Sequence, residues 1–275
     1  MSVRRSVAIV AACAIVVALA LSLRANRREE VVFLAVGQGD CALVLSGGRV
    51  AMIDAGPAAA ASRLVIPELR RRGVRRIDLL TLSHPDSDHI AGLPDIARTI
   101  PIASIAIPGY FRSHPDLVVA LRASGIDDRR VQWVEGPAEA KVGRFLVQMD
   151  VPDWNPEIPD NDGSLLVRVS TPGLSATFTG DAGFLEEIEM MRKGLWAADV
   201  LKLGHHGSRY SSGDSWLDHV HPKLAIVSCG RDNSYGHPAQ EVLEKCEKRG
   251  IQVMRTDRQG TIVLHPTGTG FTIGR

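Results

Sequence analysis

Four side chains that bind metals fall within six residues at His84-Pro85-Asp86-Ser87-Asp88-His89. Imidazole and carboxylate donors together suit Zn2+, Mn2+ or Fe2+, because the set mixes nitrogen with hard oxygen. The apolar run Ile77–Leu82 stands directly before them and reads as a strand. A loop at the carboxyl end of a strand can aim alternate side chains at one point. Read alone, the segment also fits a polar loop in which Asp88 caps a helix. Three further apolar strands end in similar residues. Asp54 follows Val50–Ile53, Asp181 follows Thr179-Gly180, and His205-His206 follow Val200–Leu203 and a glycine. Strand ends on one rim converge, so these residues can surround a common point. Their plainer readings are a turn residue for Asp181 and solvated loop residues for the two histidines.

The elements that would position them follow from the apolar periodicity. Strands are expected over 31–36, 41–45, 50–53, 77–82, 102–107, 165–169, 176–179, 200–203, 224–228, 251–254 and 261–264, with more strand between 131 and 148. Gly37-Gln38-Gly39-Asp40 reads as a tight turn and Ser46-Gly47-Gly48-Arg49 as a hairpin turn. Helices are expected over 61–72, from 89–93, and over 115–123, 184–192 and 239–249. Strands with helices inserted, twice over, predict an α/β fold with two mixed sheets packed together and helices outside. No Gly-x-Gly-x-x-Gly fingerprint or Walker loop is present, which argues against a nucleotide-binding fold.

Composition sets wider bounds. The chain has 275 residues, 45% of them hydrophobic and 23% charged, which excludes a disordered chain, a collagen-like fibre and a disulfide-dense mini-protein. A net charge of +1 excludes a globally basic nucleic-acid coat and leaves room for a local groove. The densest basic run, Arg70, Arg71, Arg72, Arg75 and Arg76, reads first as a solvated helix face and second as a phosphate contact. Aromatic residues are only 5%, so no base-stacking platform stands out. None of the four cysteines forms a Cys-x-x-Cys pair, which disfavours a thiolate zinc knuckle; Cys41 and Cys229 read as small buried residues.

The amino terminus carries Arg4 and Arg5, then 18 residues without charge from Ser6 to Leu23, then Arg24, Arg27 and Arg28. That run is just long enough to cross a hydrocarbon core of about 30 Å. Residues 1–24 are expected to be a retained signal anchor that leaves the following domain outside the cytoplasm. The alternative is a cleaved signal peptide, which would make the protein secreted. Residues 25–30 form a linker, and 31–275 a single domain.

Taken together, these segments closely resemble the metallo-β-lactamase fold superfamily, whose His-x-[His/Asp]-x-Asp-His hallmark reads His84-Pro85-Asp86-Ser87-Asp88-His89 here. Phe33–Asp40, Ile53-Asp54-Ala55-Gly56, Thr179-Gly180-Asp181, Leu201–Ser208, Asn233–Pro238 and Arg255-Thr256-Asp257 resemble one branch more narrowly. That branch is the hydrolase domain of ComEC-type competence DNA-uptake channels and its free-standing relatives. The likeness covers about residues 31 to 266. The channel's many membrane helices have no counterpart in it.

The resemblance implies an αββα four-layer sandwich that binds two divalent metal ions, Mn2+ or Zn2+, at one edge of the paired sheets. It implies His84 and Asp86 on the first metal, Asp88 and His89 on the second, His205 as a further ligand and Asp181 as the bridge. Asp54 would orient the motif loop from behind. Two departures stand out. Asp86 is a harder ligand than the usual histidine, which favours Mn2+. The histidine expected before the bridging aspartate is missing, and Asn161 or Asp162 stands near its place. Two such metals lower the pKa of a bound water to about 7 and neutralise a phosphoryl oxygen. Lys202, His206 and His237 are the candidates to assist a leaving alkoxide. The expected function is a metal-dependent phosphodiesterase, a DNA nuclease, tethered to the membrane. The alternatives are a hydrolase of a small ester, lactone or β-lactam, and a membrane-tethered binding module with a degenerate metal site.

Overall fold

The computed structural model describes residues 28–153, 159–194 and 196–274. The expected anchor at 1–24 lies outside them. Among the described residues, no helix is long and apolar enough to cross a membrane.

Among the described residues, fifteen strands form two mixed sheets. The first is ordered β15 (Phe271–Gly274), β14 (Ile262–Pro266), β1 (Glu29–Phe33), β2 (Ala42–Ser46), β3 (Arg49–Ile53), β4 (Leu79–Thr81), β5 (Ile105–Pro108) and β6 (Val131–Val134). The second is ordered β13 (Gln252–Arg255), β12 (Leu224–Val227), β11 (Val200–Lys202), β10 (Leu174–Phe178), β9 (Leu166–Thr171), β8 (Phe145–Asp150) and β7 (Ala138–Val142). In each sheet one half is antiparallel and the other parallel: β3 to β6 run parallel in the first, β10 to β13 in the second.

Why these residues form two packed sheets is visible in β1. Val31 and Phe33 point between the sheets, while Val32 points to the helix side, so alternation buries both faces. Phe33 stacks on Phe178 of the opposite sheet with centroids 5.4 Å apart. One outer layer packs helix residues Val65, Leu69, Leu93, Ile96 and Leu117 on the first sheet. The other packs Met190, Trp216, Leu217 and Val242 on the second. This is the expected four-layer order of helix, sheet, sheet, helix.

The helix expected over 61–72 begins earlier, at Ala58, and passes through a π-turn at Ala61–Val65 before ending at Arg71. Its basic run is largely committed to carboxylates. Arg71 binds Glu68 at 2.7 Å, Arg76 binds Asp78 at 2.5 Å, and the buried Arg72 pairs with Glu30. Cys41 and Cys229 are buried and unpaired. The helix Asp214–Val220 and the edge strand β15 were not expected.

The parallel halves decide where the site sits. Their strands end on one rim, the usual place for a ligand crevice in open α/β sheets. Asp54 follows β3, His84–His89 follow β4, Asp181 follows β10, and His205-His206 follow β11. Asp40, in the turn after β1, joins them, because β1 runs in the same direction as β3.

Candidate metal centre

Asp181 is the hub. It is buried, and four imidazoles turn their Nε2 atoms toward its carboxylate: His89 at 3.3 Å, His206 at 3.4 Å, His205 at 3.7 Å and His84 at 3.9 Å. Three of these rings are held from behind. His89 Nδ1 donates to Asp54 Oδ2 at 2.9 Å, and His206 Nδ1 donates to the Ser228 carbonyl at 2.9 Å. His84 Nδ1 lies 3.0 Å from Ser83 Oγ and 3.3 Å from Ser164 Oγ. A carboxylate or carbonyl can only accept, so His89 and His206 each carry a proton on Nδ1, which leaves Nε2 as the atom that a cation would take; the hydroxyls behind His84 serve either tautomer.

Backbone strain marks the same residues. Asp54, His205 and His206 have φ of 56°, 46° and 57°. Side chains rarely adopt this left-handed region, at a cost of about 1–3 kcal/mol each. Asp54 repays its strain with a full set of contacts: Ser83 N–H donates to Oδ1 at 2.7 Å and Ser83 Oγ to Oδ2 at 2.9 Å.

The donor set fits a metal. His84 Nε2, His89 Nε2 and Asp181 Oδ1 are buried with no hydrogen-bond partner. Such orphans are costly, and a cation satisfies all three at once. The sets His84/His89/Asp181, Asp88/His89/His206 and Asp40/Asp181/His206 each bring their donor atoms within 4.8 Å of one another. Electrostatics agrees. Burial works against the His89 imidazolium, but Asp181 and Asp54 outweigh it and hold its pKa well above the usual histidine range. Burial likewise opposes the His206 charge, and Asp181 outweighs it to raise the pKa to about 9. The carboxylates therefore demand positive charge at their middle.

The other expected residues divide. Asp88 lies in the first turn of the helix Ser87–Ile90, whose cap position is Asp86, so the helix-cap reading of Asp88 does not hold. Its Oδ2 reaches His206 Nε2 at 3.2 Å. Asp86 is half-exposed, 3.6 Å from His84 Nε2. His205 sits at the outer edge with a side chain 34% exposed, whereas His206 is enclosed. Asp162 accepts from the N–H of Gly183, the cap residue of the helix Phe184–Lys193, at 3.1 Å; Ser164 takes the place behind His84 and Asp181. Lys202 is fully buried, ion-paired to Asp40, and donates to the Gly180 carbonyl at 3.3 Å. Burial opposes its charge, but Asp40 and Asp181 outweigh it and raise its pKa, so the ammonium is a fixed charge behind the donors. That enclosure does not suit a proton donor to a leaving group. His237 is half-buried, its ring 5.6 Å from that of His205. Burial, with His206 and His205 nearby, pushes its pKa down to about 4, so it is a neutral imidazole at pH 7.

The sequence model of the metallo-beta-lactamase superfamily matches residues 34–231. The chain belongs to the metallo-beta-lactamase superfamily. Within the superfamily it is 34% identical over 258 residues to "ComE operon protein 3" of Bacillus subtilis, covering 85% of this chain and 32% of that protein. It is 34% identical over 228 residues to "Competence protein ComA" of Neisseria gonorrhoeae, covering 82% of this chain and 30% of that protein. The chain thus spans about a third of the length of these relatives. Among solved structures it is similar in fold to CmlA, a diiron beta-hydroxylase from Streptomyces venezuelae. The TM-score there is 0.60 at 14% identity, over 87% of this chain and 55% of that one.

Four residues of this superfamily member's site escaped the sequence reading. Ser83, Ser164 and Ser228 act through ordinary polar atoms and carry no signal of their own. Asp40 did carry one. It follows Gly39, whose φ of 128° and 2.3 Å approach of an added Cβ to the Asp88 carbonyl oxygen admit only glycine. A glycine needed for close approach marks a turn pressed against the site.

Proposed function

We propose that the protein is a metal-dependent phosphodiesterase acting on DNA, with its domain held outside the cytoplasm by the apolar segment Ser6–Leu23. The observation that carries the hydrolytic reading is the convergence of four Nε2 atoms on the Asp181 carboxylate. The name of one relative, "Competence protein ComA", points to competence, and the sequence resembles the hydrolase domain of competence DNA-uptake channels.

His84, His89, His206, Asp88 and Asp181 would hold a pair of divalent cations, with His205 and Asp86 at the outer edge. Such cations supply an activated water near neutral pH and neutralise charge developing on a phosphoryl oxygen. The chain's own groups do the positioning. Asp54 and the Ser228 carbonyl fix the rings of His89 and His206, so that neither rotates as charge shifts. Lys202 balances Asp40 and Asp181, which keeps the two carboxylates compatible in one buried site. Asp86, a hard oxygen donor, biases the set toward Mn2+.

The test is hydrolysis of bis-(p-nitrophenyl) phosphate and of DNA with Mn2+ or Zn2+ supplied, in wild type and Asp88→Ala. Metal-dependent turnover lost in the variant supports the reading. Equal turnover in both proteins refutes the site. Turnover of nitrocefin alone would move the substrate to the small-ester and β-lactam class.

A further inference from the structure

We propose that the exposed ring of Tyr235 is a stacking platform for an unpaired nucleobase beside the metal centre. The proposal rests on the phosphodiesterase reading and narrows its substrate to single-stranded nucleic acid or frayed ends.

Tyr235 is 70% exposed, yet its ring is not loose. One face stacks on His237, with centroids 5.6 Å apart and planes inclined by 22°. The His237 ring lies 5.6 Å from His205 and 6.2 Å from His206, both of which reach Asp181. A short aromatic ladder therefore leads from the hub to the surface and ends in one open π-face. An exposed tyrosine by itself is unremarkable. Its position as the last rung of a ladder rooted in the metal centre is not explained by chance exposure.

The loop that carries it is fixed against the histidine loop. Asn233 Nδ2 donates to the His237 carbonyl at 2.7 Å and to the Gly230 carbonyl at 2.9 Å, and His237 N–H donates back to Asn233 Oδ1 at 2.9 Å. Ala239 N–H donates to the Gly207 carbonyl at 2.8 Å. Gly207 has φ of 81°, and an added Cβ would lie 2.7 Å from Pro238. The ring is thus pre-positioned, which spares the cost of ordering it on binding. Arg209 and Arg231 are exposed in the same two loops, where guanidinium groups can meet backbone phosphates.

Stacking tolerates any base, because every base has a π-face, and it requires a base not already stacked in a duplex. That chemistry selects strand state and not sequence.

The experiment uses the full chain in EDTA and fluorescence anisotropy. The probes are a labelled single-stranded oligonucleotide and an abasic strand of equal length and charge. Wild type should bind the base-bearing strand about tenfold more tightly. Tyr235→Ala should erase that preference and Tyr235→Phe should keep it, with the salt dependence unchanged because no charge is removed. Equal binding of the two strands by wild type, or a preference that survives in Tyr235→Ala, overturns the platform. Cleavage of DNA by wild type without base preference overturns the platform alone. Base preference without cleavage under either metal supports the platform and overturns the hydrolytic reading.

Discussion

Asp54 accepts the Nδ1 proton of His89 at 2.9 Å, although 35 residues separate the two in the chain. The contact joins the end of β3 to the helix after β4 and sets which nitrogen of His89 faces Asp181. Asp54→Asn keeps the shape and removes the charge. Metal affinity should fall by about 10–100-fold, read by competition with a chromophoric chelator, while circular dichroism stays native. Unaltered affinity would mean that Asp54 does not orient the ligand.

Lys202 and Asp40 form a buried ion pair under the donors. Removing one partner strands a charge in low dielectric, so Lys202→Met should cost roughly 3–5 kcal/mol in urea unfolding. Pairing it with Asp40→Asn should recover much of that loss. A double variant as unstable as the single one would deny the coupling.

Gly39 and Gly37 offer a matched comparison. Both have positive φ, 128° and 86°, but an added Cβ meets the Asp88 carbonyl oxygen at 2.3 Å only from Gly39; at Gly37 it meets nothing within 4 Å. Alanine at either position should destabilise by about 1–3 kcal/mol through backbone strain. Only Gly39→Ala should also weaken metal uptake, because it pushes on the segment that carries Asp88. Equal metal binding by the two variants would contradict this.

A pH dependence follows from Glu187. Its carboxylate accepts from Ser212 N–H at 2.5 Å and Gly213 N–H at 2.9 Å. Burial raises its pKa to about 7 and outweighs those two bonds and the Lys245 charge, all of which lower it. The unfolded value is about 4.3. The folded pKa is the higher one, so this contribution to stability is complete below the unfolded value and is lost as pH rises through 7. Glu186, raised to about 8 first by burial and then by Asp162, acts in the same direction. The melting temperature should therefore fall between pH 5 and 8, and less steeply in Glu187→Gln. Parallel curves for the two proteins would refute the assignment.

How much of this was legible in the sequence depends on where the information lies. The central strands were legible because they are buried on both faces and read as apolar runs bounded by glycine. Strand β15 was not, because it is an edge strand held by its ladder to β14 and largely open to solvent. The helix Asp214–Val220 escaped because only Trp216, Leu217 and Val220 are buried in a polar stretch. In the site, the aspartates and histidines were legible by type and by their place after strands. The order of His205 and His206 was not. It depends on two consecutive left-handed residues, which put His206 inside and His205 at the edge. The demotion of Lys202 and Asp162 likewise depends on burial and on a helix start, neither of which spacing encodes.

The donors arrive from residues 40, 54, 84–89, 181 and 205–206, and they belong to loops of both sheets. No contiguous stretch of the growing polypeptide carries a complete set. The hexapeptide at 84–89 is synthesised long before Asp181 and His205-His206, and it waits without the aspartate on which its histidines converge. Assembly of the donor set therefore comes late: in a half-docked chain the set is incomplete, and it is gathered only when the second sheet closes on the first.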